Sequence, residues 1–95
     1  MQYLIIAYDN ENALERRLES REAHMEGARK LMAEGKIINA GALIEDDVMV
    51  GSTLFIDFES DDELDEWLEN EPYVKNNLWN NDEFQIVPMT LLPKQ

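Results

Sequence analysis

The chain has 95 residues, no cysteine and a formal net charge of −13, with 44% hydrophobic and 31% charged residues. That composition fits one globular domain over residues 1–95, with a modest core and reason to bury further surface against a second copy of itself. It excludes disulfides and thiolate zinc sites, fits a cytoplasmic protein, and argues against nucleic acid or an anionic membrane as partner.

Gln2–Tyr8 is a strand rich in β-formers. Both alternating sets are apolar, Tyr3/Ile5/Ala7 on one face and Leu4/Ile6/Tyr8 on the other, so burial on both sides is expected. A strand beginning at residue 2 leaves no room for a signal peptide, and no apolar run approaches a membrane span. A short helical stretch with Leu14 and Leu18 leads to the main helix, Ser20–Gly35, with Ser20 as N-cap and bend and Gly35 just past the end. On a helical wheel Gly27, Ala28, Leu31 and Met32 form an apolar sector centred on His24, the only histidine of the chain.

Lys36–Glu45 is the second strand, Asp46-Asp47 the turn, and Val48–Glu59 the third strand, with Leu54, Ile56 and Phe58 on one face and Val50 and Phe55 on the other. Ser60-Asp61-Asp62-Glu63 is a capping box that opens a helix with buried stripe Leu64, Trp67, Leu68. Pro72 ends that helix, an asparagine-rich loop follows, and Phe84–Met89 is an edge strand because Pro88 cannot donate to a ladder. The order is the ferredoxin-like β-α-β-β-α-β unit: a four-stranded antiparallel sheet with helices on one face. The other face is also apolar and has nothing in the chain to cover it, which predicts a homodimer.

His24 is the one side chain whose ordinary titration lies near neutrality. An inward imidazole is either a core group satisfied by a hydrogen bond or the working group of a pocket. Six of the 8 basic residues fall between Arg16 and Lys36, around it, which suggests a small anion bound at a locally positive pocket. Arg17 and Arg21, four apart on one helical face, either hold that anion or pair with nearby glutamates. Glu71 either faces water at a helix end or hydrogen-bonds His24, which would fix the imidazole tautomer. Tyr73 and Trp67 are either core or the walls of an aromatic pocket. No Gly-rich phosphate loop, nucleophile elbow or zinc ligand set is present, and Glu45-Asp46-Asp47 reads as a solvated turn, so neither cofactor nor metal is expected.

Arg17-x-x-x-Arg21-x-Ala23-His24, Glu34-Gly35-Lys36-x-x-x-Ala40-Gly41, Gly51-Ser52-Thr53, Phe58-Glu59-Ser60 and Glu71-Pro72-Tyr73 together resemble the YciI-like (YCII-related domain) family over nearly the whole chain. The resemblance implies a ferredoxin-like unit that pairs into a dimeric α+β barrel. It also implies a proposed enzyme whose site rests on a histidine at His24 and an aspartate where this chain has Glu71. A few members act on chlorinated aromatic compounds, with a His–Asp pair implicated in dehydrochlorination. Three departures stand out: Glu71 for aspartate, Glu22 for the proline common before Ala-His, and a connection between strands two and three cut to Glu45-Asp46-Asp47.

The function expected from this reading is general acid/base chemistry by His24 and Glu71 on a small anionic compound of aromatic or enol type. Arg17, Arg21 and Tyr73 would hold the substrate. The alternative is a dimer of the same build that binds a small ligand without turnover. An acidic nucleic-acid mimic is a third reading, carried by charge alone.

Overall fold

Tyr3, Ile5 and Ala7 are buried in the middle of an antiparallel sheet in the computed structural model, which describes residues 1–92. The elements are β1 (Gln2–Asp9), α1 (Leu14–Ala33), β2 (Ile37–Glu45), β3 (Val48–Asp57), α2 (Asp61–Asn70), α3 (Pro72–Lys75) and β4 (Trp79–Pro88). The sheet order is β2-β3-β1-β4, with every neighbouring pair antiparallel. The alternating set Tyr3, Ile5, Ala7 aligns with Ile56, Leu54 and Ser52 of β3, and this inner face packs beneath the helices with Phe58, Leu64, Tyr73, Leu78 and Trp79. Leu4 and Ile6, of the opposite phase, are only partly buried, and Tyr8 is exposed.

Local chemistry explains most boundaries. Asp46 and Asp47 both take positive φ, 51° and 64°, as the tight β2–β3 hairpin requires for its twist to match that of the strands. Ser60 Oγ accepts from the Glu63 amide at 3.2 Å, and Glu63 Oε1 reaches back to the Glu59 amide at 2.9 Å, one residue before the cap. Pro72 stops α2 at Asn70 and then serves as the first residue of α3, where its missing N–H costs nothing.

Three expectations need correction. Ser20 is neither N-cap nor bend: α1 runs unbroken from Leu14, and buried Ser20 Oγ accepts from Asn76 Nδ2 at 2.7 Å, so a distant partner satisfies the hydroxyl inside the helix. The helix turns Ala13, Arg17, Ser20, His24, Ala28 and Leu31 inward, leaving Gly27 and Met32 exposed. The last strand starts earlier than Phe84, at Trp79, because the register against β1 jumps from Ala7–Phe84 to Asp9–Trp79 and the polar residues between bulge outward.

One glycine is sterically required. A Cβ at Gly51 would lie 2.5 Å from the Ala7 carbonyl oxygen and 3.1 Å from Tyr8 Cα, both backbone atoms of β1. Gly51→Ala is expected to destabilise the fold by about 1–3 kcal/mol through overpacking. A thermal melt would read this as a fall of ~4–8 °C per kcal/mol.

Candidate functional site

The site forms where α1 crosses the segment between α2 and α3. Pro72 holds Glu71 in extended backbone, φ −69° and ψ 123°, and makes it the N-cap of α3: Glu71 Oε1 accepts from the Tyr73 amide at 3.3 Å. The same Oε1 meets Nδ1 of His24 directly, with no room for a bridging water. Both side chains are buried, His24 at 9% exposure and Glu71 at 5%. A carboxylate in its ionised form can only accept, so in that pairing Nδ1–H of His24 donates to Glu71, and a ring that carries one proton then has its lone pair on Nε2. No described residue bonds Nε2, and no buried side-chain nitrogen or oxygen among them lacks a partner, so Nε2 is open to solvent.

The opening is a cleft of about 310 Å³ between α1 and the inner face of β2 and β3, lined in part by His24, Arg17, Arg21, Arg29, Ser52 and Tyr73. Small residues Ala40, Gly41 and Ala42 of β2 form part of its wall, so this stretch of strand borders a cavity instead of core. The Tyr73 ring stacks on the His24 ring with centroids 3.9 Å apart and planes 13° from parallel; Trp79 stands edge-on to the imidazole at 6.2 Å. Burial pushes the Tyr73 phenol above its ordinary range against the opposing pull of Arg17, so it is a neutral donor at physiological pH.

Arg17 is buried and bidentate to Asp9, Nε to Oδ2 at 2.7 Å and Nη2 to Oδ1 at 2.9 Å, with Nη2 also donating to Ser52 Oγ at 2.9 Å. Its guanidinium carbon lies 5.0 Å from the centroid of the Tyr73 ring. Its anionic partner is thus Asp9, not a neighbouring glutamate, and Nη1 has no hydrogen-bond partner among the described residues. Arg21 and Arg29 are exposed and form no ion pair among the described residues, and no carboxylate lines the cleft beside the three arginines. Trp67 does not border the cleft: it packs on Phe58 and Trp79 at 5.9 and 6.3 Å in the core.

His24, Glu71, Tyr73, Arg17 and Arg21 are therefore brought together, and three neighbours were not singled out as site residues from sequence. Asp9 read as a strand terminator and Trp79 as loop. Ser52 carried a usable signal, being the one polar residue in the inward set Ser52, Leu54, Ile56, Phe58. No group of three or more metal-ligating side chains occurs among the described residues.

The model of the family described as YCII-related domain matches residues 1–90. A Haemophilus influenzae protein, described only as uncharacterized, is 34% identical over 86 residues, covering 83% of this chain and 88% of its own. Protein YciI of Escherichia coli is 32% identical over 88 residues, covering 85% of this chain and 90% of its own. Among solved structures, 5-chloro-2-hydroxyhydroquinone dehydrochlorinase (TftG) from Burkholderia phenoliruptrix, in complex with 2,5-dihydroxybenzoquinone, superposes with a TM-score of 0.82 at 28% identity. The alignment covers 95% of this chain and 94% of that one.

Proposed function

The chain belongs to the YCII-related domain family, and from that premise we propose that it is a small enzyme whose His24–Glu71 pair moves protons on a small anionic compound of aromatic or enol type. The observation that carries this reading is an imidazole with one nitrogen held by a carboxylate and the other open to a cleft without acids. Nε2 takes a proton from an acidic O–H or C–H of the substrate, and Glu71 stabilises the imidazolium that results. In an isomerisation the proton returns from Nε2 to another substrate atom. In an elimination the released electron pair expels a leaving group instead. Arg21, joined by Arg29, draws in the anion, Arg17 offers Nη1, and Tyr73 forms a wall that can donate its phenolic proton. The quinone bound to the dehydrochlorinase lends support to a ligand of this class.

The test starts from binding. 2,5-Dihydroxybenzoquinone is expected to raise the melting temperature by mass action. Hydroxyquinones, chlorinated hydroquinones and enolisable acids are then assayed for chloride release and for solvent deuterium uptake. His24→Gln is expected to lower the rate by about 10²–10⁴-fold while the thermal stabilisation by the quinone survives. A variant as active as the native protein would remove His24 from the chemistry, and a native protein that binds the quinone but turns over none of these compounds would leave the reading of a ligand-binding module.

In this reading the protein works in the cytoplasm as a homodimer, joined through the sheet face turned from the helices. Leu4, Ile6, Leu43, Phe55 and Val87 share that face by register, and Val87 is 39% exposed in the single chain. Light scattering is expected to give twice the chain mass of 11.1 kDa. A monomer at micromolar concentration would remove the dimer from the proposal.

A further inference from the structure

Ser52 sits in the cleft with its hydrogen-bonding capacity divided in an unusual way. A hydroxyl has two acceptor lone pairs and one proton to donate. Arg17 Nη2 donates to Ser52 Oγ at 2.9 Å and Trp79 Nε1 donates to it at 3.4 Å. Neither group can accept, so both lone pairs are occupied and the Ser52 proton must go elsewhere. No described residue receives it. Its register partners on the flanking strands are Ala7 and Ala42, which offer no side-chain acceptor. The side chain is buried, with 4% of the residue exposed, and it borders the cleft.

We propose that Ser52 is a specificity-determining contact that donates its hydroxyl proton to an anionic oxygen of the bound molecule. This rests on the reading of the cleft as a ligand site and adds to it a selection rule. The guanidinium behind the hydroxyl polarises it, which strengthens the outgoing bond to a phenolate, enolate or carboxylate oxygen. A ligand that can only donate at that point meets no free lone pair, and a phenolate accepts the Ser52 proton more strongly than the neutral phenol does. The cleft therefore favours the ionised form of a phenol that binds there and lowers its pKa.

4-Nitrophenol tests this, because its colour reports its ionisation, with nitrobenzene as the same body without the oxygen. The native protein is expected to bind 4-nitrophenolate and to lower the probe's pKa. Ser52→Ala should weaken 4-nitrophenolate about tenfold and raise the bound pKa by about one unit, leaving nitrobenzene affinity unchanged. Ser52→Thr, which keeps the hydroxyl, should behave like the native protein, and Ser52→Cys, a weaker donor of similar volume, should fall between. If Ser52→Ala fails to fold by circular dichroism, the order of Thr and Cys carries the test. Equal 4-nitrophenolate affinity and bound pKa across the variants would overturn the assignment while the cleft remains a ligand site. An equal loss for nitrobenzene would overturn it too, as general damage to the cleft. Should the native protein bind neither 4-nitrophenolate nor 2,5-dihydroxybenzoquinone, the ligand-site reading fails and the assignment falls with it.

Discussion

Arg17→Met is expected to cost the fold about 3–5 kcal/mol, the largest loss of stability foreseen for any single site here. The reason is what stays behind. The side chains of Arg17 and Asp9 are 4% and 8% exposed, and Asp9 has no other cation within ion-pair distance among the described residues. Removing the guanidinium leaves a carboxylate charge in a poorly solvated place and strips Ser52 Oγ of one donor. At ~4–8 °C per kcal/mol for a domain of this size, the melting temperature should drop by about 12 °C or more. Asp9→Asn on top of Arg17→Met removes the orphaned charge and should recover a good part of the loss, because a buried ion pair replaced as a whole is far less costly than one broken. If Arg17→Met alone melts within a few degrees of the native protein, the pair is not the anchor described here.

The largest effect on turnover apart from His24 itself is expected at Glu71. Glu71→Gln keeps the volume and still offers an oxygen to the Tyr73 amide or the His24 ring, but it no longer stabilises an imidazolium. A loss of about 10²–10⁴-fold in kcat is expected, with KM little changed. Glu71→Asp, the residue expected from the family resemblance, should retain more activity than Glu71→Gln, limited by a shorter arm that must still reach His24 and cap α3. Steady-state kinetics on any compound that passes the His24-dependent assay measures both. A Glu71→Gln enzyme with native kcat would show that the carboxylate only orders the chain.

Much of this fold was legible in the chain. The period-two pattern of Tyr3, Ile5 and Ala7, the Asp46-Asp47 turn, the Ser60–Glu63 cap and the stop at Pro72 each rest on local rules that tertiary context did not override. The misreadings arose where a distant partner supplied what local chemistry lacked. Ser20 reads as a cap because serine usually competes with helix, yet Asn76 satisfies it mid-helix. Trp79 reads as loop because the polar stretch after it breaks the alternation, although the strand resumes across the bulge. Within the site, helical phase pointed His24 inward, while the pairing with Glu71 depended on the family resemblance, since the two lie far apart in sequence. Asp9 stayed hidden because nothing in a single sequence says that the carboxylate ending β1 faces an arginine a few turns of chain later.

His24 is the only histidine of the 95 residues, and its ring lies 3.9 Å from that of Tyr73. The protein thus carries its own spectroscopic reporter. Every imidazole carbon-bound proton in a magnetic resonance spectrum belongs to the cleft, without isotopic labelling or assignment, and sits in the shielding region above an aromatic ring. The position of those lines follows the stacking, so one unlabelled sample records the geometry of the site and any change in it when a ligand enters the cleft.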